Sequence, residues 1–136
     1  MKLSVRLDHE AAECIARWHW KYHHTGIPTT AIMPGEIHIP HLGMYVSGFS
    51  TSPFGIEWMR FEQGSPVHPL VQRVPHVAFE VYHLERELSL HDFVILTPPT
   101  QPSEGVRVAM IEHNGAPVEL IEFSRQSPPQ QDDDNE

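Results

Sequence analysis

Residues 115–123 read Gly-Ala-Pro-Val-Glu-Leu-Ile-Glu-Phe, a short apolar run with a glutamate at its centre. Side chains alternate between the two faces of a β-strand, so Glu119 shares a face with Ile121 and Phe123, while Leu120 takes the other. The carboxylate therefore has apolar neighbours on both faces. Such a group is costly to bury unless it is paired, protonated or bound to a metal. We predict a strand whose glutamate has a specific partner.

The same pattern occurs once more, upstream. Residues 55–61 read Gly-Ile-Glu-Trp-Met-Arg-Phe, and Glu57 takes the position that Glu119 has in the later run. In each run the glutamate follows a β-branched residue and precedes two large apolar residues, a charged residue and a phenylalanine. The chain is therefore predicted to contain an internal repeat.

A matched pair of histidines precedes these glutamates. His24 and His76 each lie near the start of a predicted strand, 33 residues before the glutamate in the first half and 43 in the second. The difference of ten residues is about the length of one short helix. Residues 83–90 have the composition of that helix, whereas residues 29–35 are a loop bounded by prolines. We predict that the first repeat lacks its helix.

The remaining elements complete two similar modules. The fold class we predict is α+β, with two βαβββ-type modules, the first without its helix, that form a barrel-like cleft. The hairpin dipeptide Asn114-Gly115 leads into the last strand. The predicted strands are 23–29, 36–40, 42–48 and 54–61, then 77–81, 93–97, 106–112 and the strand that carries Glu119, with a linker at 63–69 and a loop at 98–105.

The 136 residues are the length of one domain. Residues 22–124 hold the two modules, at 22–64 and 74–124. Residues 1–21 lie outside the repeat, and the apolar spacing of 7–18 predicts an amphipathic helix there. Residues 125–136 are rich in proline, glutamine and acidic side chains, which predicts a disordered acidic tail.

Composition excludes several classes of partner. The net charge is −9, with 18 acidic against 9 basic residues, so neither nucleic acid nor an anionic membrane surface is an expected partner. No apolar run reaches the roughly 18 residues of a membrane span, and the start is unlike a signal peptide, so we expect a cytoplasmic protein. The single Cys14 excludes an internal disulfide framework and is expected to be a small buried residue. We assign the large apolar side chains near the repeats to the core: Met44, Trp58, Met59, Phe61, Phe79 and Met110.

Four side chains carry the predicted chemistry. Each of them alone is better explained as a hydrogen-bonded structural residue, but His24, Glu57, His76 and Glu119 form two matched pairs that would converge between the modules. Two imidazoles and two carboxylates suit Zn²⁺, Ni²⁺, Co²⁺, Mn²⁺ or Fe²⁺ and leave one or two coordination positions open. An open position implies Lewis-acid chemistry on a small-molecule substrate with adjacent carbonyl and hydroxyl oxygens. Either glutamate is then a candidate base for the proton beside the carbonyl.

These motifs resemble the vicinal oxygen chelate superfamily, which includes glyoxalase I, methylmalonyl-CoA epimerase, extradiol dioxygenases and bleomycin-resistance proteins. Residues 24–27, His-Thr-Gly-Ile, resemble its opening strand, and residues 75–84, Pro-His-Val-Ala-Phe-Glu-Val-Tyr-His-Leu, resemble the start of its second module. Residues 114–120, Asn-Gly-Ala-Pro-Val-Glu-Leu, resemble its closing strand. The resemblance implies that the four residues are metal ligands and that the protein pairs as a homodimer.

Three functions are compatible with these features. The first is a metal-dependent isomerase or lyase of the glyoxalase or epimerase kind, in which the metal stabilises an enediolate. The second is an Fe²⁺ ring-cleaving dioxygenase, whose ligand set is two histidines and one carboxylate. The third is a metal-free protein that binds a small molecule, as bleomycin-resistance proteins do. The candidate ligand Glu57 favours the first function over the second, and the presence of all four candidates counts against the third.

Overall fold

The computed structural model describes residues 2–6 and 8–124. The tail at 125–136, for which the sequence predicts disorder, lies outside them. Within the described part of the chain, no helix is long and apolar enough to cross a membrane.

The described residues form one eight-stranded mixed sheet and three short helices. Across the sheet the strand order is β2-β3-β4-β1-β5-β8-β7-β6. Two 3-10 turns, Pro40–Leu42 and Phe49–Thr51, flank β3. The elements are α1 Glu13–Ala16, β1 Lys21–Pro28, β2 Ile37–Ile39, β3 Met44–Ser47, β4 Ile56–Phe61, α2 Pro69–Arg73, β5 His76–Glu80, α3 Leu84–Leu90, β6 Val94–Ser103, β7 Val106–His113 and β8 Ala116–Phe123.

The sheet consists of two modules with the same internal pairing. In the first module β1 lies parallel to the closing strand β4, and in the second β5 lies parallel to the closing strand β8. The antiparallel pair β1 and β5 joins the modules. Helix α3 follows β5, whereas residues 29–36, all of them described, contain no helix after β1. The predicted α+β fold, with two modules of which the first lacks its helix, is confirmed.

One face of the sheet packs on a core and the other lines a cavity. The core cluster contains Trp20, Val81, Leu84, Ala109, Ile111 and Leu120. Leu120 is fully buried in it, while the alternate residues Glu119, Ile121 and Phe123 line the cavity. The alternation predicted for this strand is therefore confirmed.

Helix α3 is tied to the closing strand by the second glutamate of that strand. The Glu122 carboxylate accepts a hydrogen bond from the backbone N–H of Leu84 at 3.0 Å. The first N–H groups of a helix have no partner within the helix, so this contact satisfies one of them. Glu122 and Glu119 therefore serve opposite faces of the same strand, one holding the helix and the other facing the cavity.

The N-terminal segment differs from its prediction. The helix predicted over 7–18 is a single turn, Glu13–Ala16, and a helix this short gains little from propensity alone. The segment is instead held by Trp20, which is 4% exposed and whose indole N–H donates to Glu87 of α3 at 2.9 Å. Cys14, expected to be buried, is partly buried against the same cluster. The extension thus completes the core of the second module.

Two irregular segments also differ from their predictions. The loop predicted at 98–105 is largely strand, because β6 continues to Ser103 through three register shifts. Strand β6 is the last in the sheet, and prolines are tolerated on an edge strand because one side needs no hydrogen-bond donor. The linker predicted at 63–69 leads into α2, whose first residue is Pro69 and whose Leu70 N–H donates to the His68 ring at 3.0 Å.

The predicted hairpin is confirmed, with positive φ at Asn114 and Gly115.

Candidate metal centre

The two predicted histidines face each other across the strands that join the modules. In the antiparallel pair of β1 and β5, His24 lies opposite Ala78 and Gly26 lies opposite His76. Residues two apart on a strand share a face, and so do residues directly opposite each other. The two histidines therefore lie on one face of the sheet, and each has a small residue directly opposite it on the neighbouring strand. The sequences His24-Thr25-Gly26 and His76-Val77-Ala78 therefore play equivalent parts in the two modules.

The glutamates join this face from the flanking strands. In the parallel pairs Glu57 lies beside Gly26, and Glu119 lies beside Ala78. All four predicted ligands therefore occupy one face of the four central strands, two from each module. The pairing register alone brings together residues that are up to 95 positions apart in the chain.

Gly26 leaves the space that the His76 ring occupies. A Cβ atom built on Gly26 would lie 2.3 Å from His76 Cε1 and 2.8 Å from each ring nitrogen. Real Cβ atoms do not approach other atoms this closely, so the ring lies where a side chain would be. A glycine at this position is needed for the histidine of the other module to reach the cavity.

Three of the four predicted ligands form a compact buried group. His24 Nε2 lies 3.3 Å from His76 Nε2, and Glu119 Oε1 lies 3.3 Å and 2.8 Å from these two nitrogens. The residues are 5%, 3% and 8% exposed. Ligands about 2.1 Å from a metal lie about 3.0 to 3.4 Å apart in octahedral or tetrahedral geometry. Two of the three separations fall in this range and the third, 2.8 Å, lies just below it, so the group has the spacing of a site that could hold a divalent metal ion.

Glu57 lies at the side of this group. Its Oε1 is 3.5 Å from His24 Nε2, and its side chain is 23% exposed, more than Glu119 at 11%. It lines the cavity with the other three. The structure thus places all four predicted residues together, with three in mutual contact and Glu57 beside His24.

Charge is strongly coupled within the group. Burial favours a raised pKa for Glu119, but hydrogen bonds and attraction from His24 and His76 outweigh it and lower that pKa to about 2. Burial favours a lowered pKa for His24, but the adjacent Glu119 and Glu57 carboxylates raise it. Burial raises the pKa of Glu57. In the metal-free protein, Glu119 is therefore the anion of the group.

His76 is held by packing instead of by a second hydrogen bond. Its Nε2 faces Glu119, while its Nδ1 is buried with no hydrogen-bond partner among the described residues. The ring lies against Gly26, which fixes its orientation from one side. The two histidines therefore differ, because the Nδ1 of His24 does have a contact, with His23.

His23 belongs to the site although the sequence pattern does not mark it. Strand alternation places it on the face opposite His24, but it lines the cavity, and its Nδ1 lies 2.8 Å from His24 Nδ1. Its ring stacks on Phe49 with centroids 5.0 Å apart and an interplanar angle of 11°. Burial and the neighbouring His24 lower the pKa of His23. Nothing in the local sequence shows that this strand departs from regular alternation.

The cavity above the group is large and mostly apolar. Its volume is about 860 Å³, the size of a small-molecule site. Of the apolar residues assigned to the core from sequence, Met44 and Met59 are buried as predicted, and both also line this cavity, as do Phe61 and Met110. The candidate metal ligands therefore lie at the base of a cavity whose walls are mostly apolar.

Solved structures share this fold. A hypothetical protein from Bacillus halodurans is 20% identical, with a TM-score of 0.62 over 79% of this chain and 97% of that one. Methylmalonyl-CoA epimerase from Mycobacterium tuberculosis is 18% identical, with a TM-score of 0.56 over 78% of this chain and 89% of that one. A glyoxalase/bleomycin resistance protein/dioxygenase from Nocardioides has a TM-score of 0.31 at 13% identity, and the fold assignment does not depend on it. No protein-family model and no curated protein matches the sequence.

Proposed function

We propose that this protein is a metal-dependent isomerase or lyase of the vicinal oxygen chelate superfamily that moves a proton on a carbon next to a carbonyl. The observation that carries the proposal is the buried group of His24, His76 and Glu119 at metal-ligand spacing on the floor of an apolar cavity. The fold shared with an epimerase and the order of the His and Glu motifs support membership of the superfamily. A cytoplasmic location remains a prediction.

His24, His76 and Glu119 hold a divalent ion, Zn²⁺, Ni²⁺, Co²⁺, Mn²⁺ or Fe²⁺. When bound, the ion supplies Lewis-acid stabilisation of the negative charge that develops on two adjacent substrate oxygens. The apolar walls hold the rest of the substrate and keep bulk water from the reacting carbon. Because both histidines contact Glu119, that carboxylate is committed to the ligand group.

Glu57 is the base in this proposal. It lies outside the compact group, lines the cavity and keeps a partly exposed carboxylate. A carboxylate in this position can take the proton from the substrate carbon and return it to the same or a neighbouring carbon. The proton is held on a Glu57 oxygen between the two steps.

A second candidate function is an Fe²⁺ oxygenase. The three residues in mutual contact are two histidines and one carboxylate, which is the ligand set of that class, and Glu57 is not among the three. The two candidates differ in the role of Glu57. The isomerase or lyase requires it as the base for proton transfer, whereas the oxygenase does not require it as a metal ligand.

Metal content and isotope exchange test these candidates together. Elemental mass spectrometry should find one divalent ion per chain in the wild type, and His76→Ala and Glu119→Ala should lose it. Nuclear magnetic resonance in D₂O should then show deuterium entering the carbon beside the carbonyl in 2-oxo thioesters or hemithioacetals. Glu57→Gln should retain the metal and lose the exchange.

Other outcomes separate the alternatives. A metal-loaded wild type that exchanges no proton but consumes O₂ with catechols would support the oxygenase instead. A wild type that binds no metal after reconstitution would exclude both enzymes and leave a small-molecule binding protein.

A further inference from the structure

Strand β1 contains a bulge immediately before the first ligand. Tyr22 lies opposite Phe79 and His24 lies opposite Ala78, so two steps along β1 correspond to one step along β5. His23 is the extra residue. A bulge re-aims side chains out of regular alternation, which explains how His23 and His24 both line the cavity.

The bulged residue is held in a defined orientation. Its ring is stacked on Phe49 and lies 5.3 Å from the ring of Phe123. These contacts leave its Nδ1 facing His24 Nδ1 at 2.8 Å, a normal hydrogen-bond distance. Only one of two imidazole nitrogens in such a contact can donate, so one ring must present a lone pair to the other.

A ligand imidazole has its lone pair on the nitrogen that binds the metal. His24 presents Nε2 to His76 and Glu119, so in the ligating form its proton is on Nδ1 and needs an acceptor. The acceptor within reach is Nδ1 of His23. His23 is then protonated on Nε2. No comparable contact exists for His76, whose Nδ1 has no partner in the described part of the chain.

We propose that His23 is a positioning residue for the metal centre: by accepting the His24 Nδ1–H it fixes the tautomer and ring orientation that direct His24 Nε2 to the metal. The inference rests on the proposed metal site and concerns a residue outside the ligand set. Partners of this kind change metal affinity by about 10- to 100-fold when they are lost.

The test compares two substitutions at His23 with one at a matched histidine. His23→Phe keeps an aromatic ring for the stack on Phe49 but cannot accept a hydrogen bond. His23→Asn places an amide oxygen near the position of Nδ1 and restores the acceptor. His38→Phe is the control, because His38 also lines the cavity and stacks on an aromatic ring, Tyr45, at 4.3 Å and 16°, but its ring nitrogen contacts Glu62 at 3.4 Å and no candidate ligand.

Zinc affinity is measured by competition with a chromophoric chelator. We expect His23→Phe to weaken it by about 10- to 100-fold, and His23→Asn and His38→Phe to stay within a few-fold of the wild type. In the zinc-loaded wild type, ¹⁵N resonances of the His24 ring should show a proton on Nδ1 with slowed exchange, and His23→Phe should lose that slowed exchange. Circular dichroism confirms that each variant is folded.

Each result has a definite meaning. Wild-type zinc affinity in His23→Phe would overturn the role of His23 and leave the metal site intact. Equal losses in His23→Phe and His23→Asn, both folded, would show that ring packing matters and the acceptor does not. A wild type that binds no zinc would overturn the proposed function, and the role of His23 with it.

Discussion

Replacing Gly26 with alanine should disable the metal centre without removing a ligand. The new Cβ would lie 2.3 Å from His76 Cε1, whereas ordinary contact begins near 3.4 Å, so the ring must retreat by about 1.1 Å. Metal–ligand distances tolerate changes of only about 0.2 Å. Because His76 then no longer reaches the position of the ion, we expect zinc or cobalt affinity to fall about 100-fold or more.

The stability of this variant should change by less than its metal affinity. The φ of Gly26 is not in the left-handed region, so an alanine backbone fits there and the effect is purely steric. Overpacking a buried site costs about 1 to 3 kcal/mol, from which the lower chain entropy of alanine recovers about 0.4 to 1 kcal/mol. Chemical denaturation of the metal-free protein measures this difference directly.

The matched control is Ala78→Gly, the corresponding position of the other module. It removes a methyl group across from His24 where Gly26→Ala adds one across from His76. It should cost about 1 kcal/mol in strand stability and leave the metal affinity within a few-fold of the wild type. Chelator competition and Co²⁺ absorption spectra would compare the two. A folded Gly26→Ala protein with wild-type affinity and spectrum would refute the placement of the His76 ring against Gly26.

Three further predictions concern stability and assembly. In the metal-free protein the pKa of Glu119 lies below its usual 4.5, at about 2, so the ionised carboxylate contributes stability that is complete above pH 4.5 and is lost as the pH falls toward 2. Glu119→Gln should reduce this acid dependence in urea unfolding measured from pH 2 to 7. An unchanged pH profile in the variant would contradict the prediction. Trp20→Phe removes the hydrogen-bond donor to Glu87 and should lower the free energy of unfolding by about 1 to 3 kcal/mol. The control, Trp18→Phe in the same aromatic cluster, should lower it by less. Equal losses in the two variants would show that the hydrogen bond contributes little. The homodimer remains a prediction, and light scattering coupled to size exclusion should give twice the chain mass of 15.6 kDa, with a monomer mass contradicting it.

Sequence alone determined the modules and the four residues of the candidate site. A strand places alternate side chains on one face, so a glutamate among apolar neighbours at 57 and 119, each preceded by a His-bearing strand, indicates one shared surface. The missing helix followed from the ten-residue difference between the two His-to-Glu separations. These inferences succeed because they depend on local periodicity and on a pattern that occurs twice.

Tertiary structure decided the features that depend on which strand lies beside which. The bulge at His23 exists because β5 offers one residue where β1 supplies two, and no property of β1 alone reveals that mismatch. The prolines of β6 are compatible with a strand because it lies at the edge of the sheet. Trp20 is buried because its partner Glu87, 67 residues later, is on the helix that covers this part of the core. Pairing energies between distant segments set these features, so they are determined only once the chain has folded.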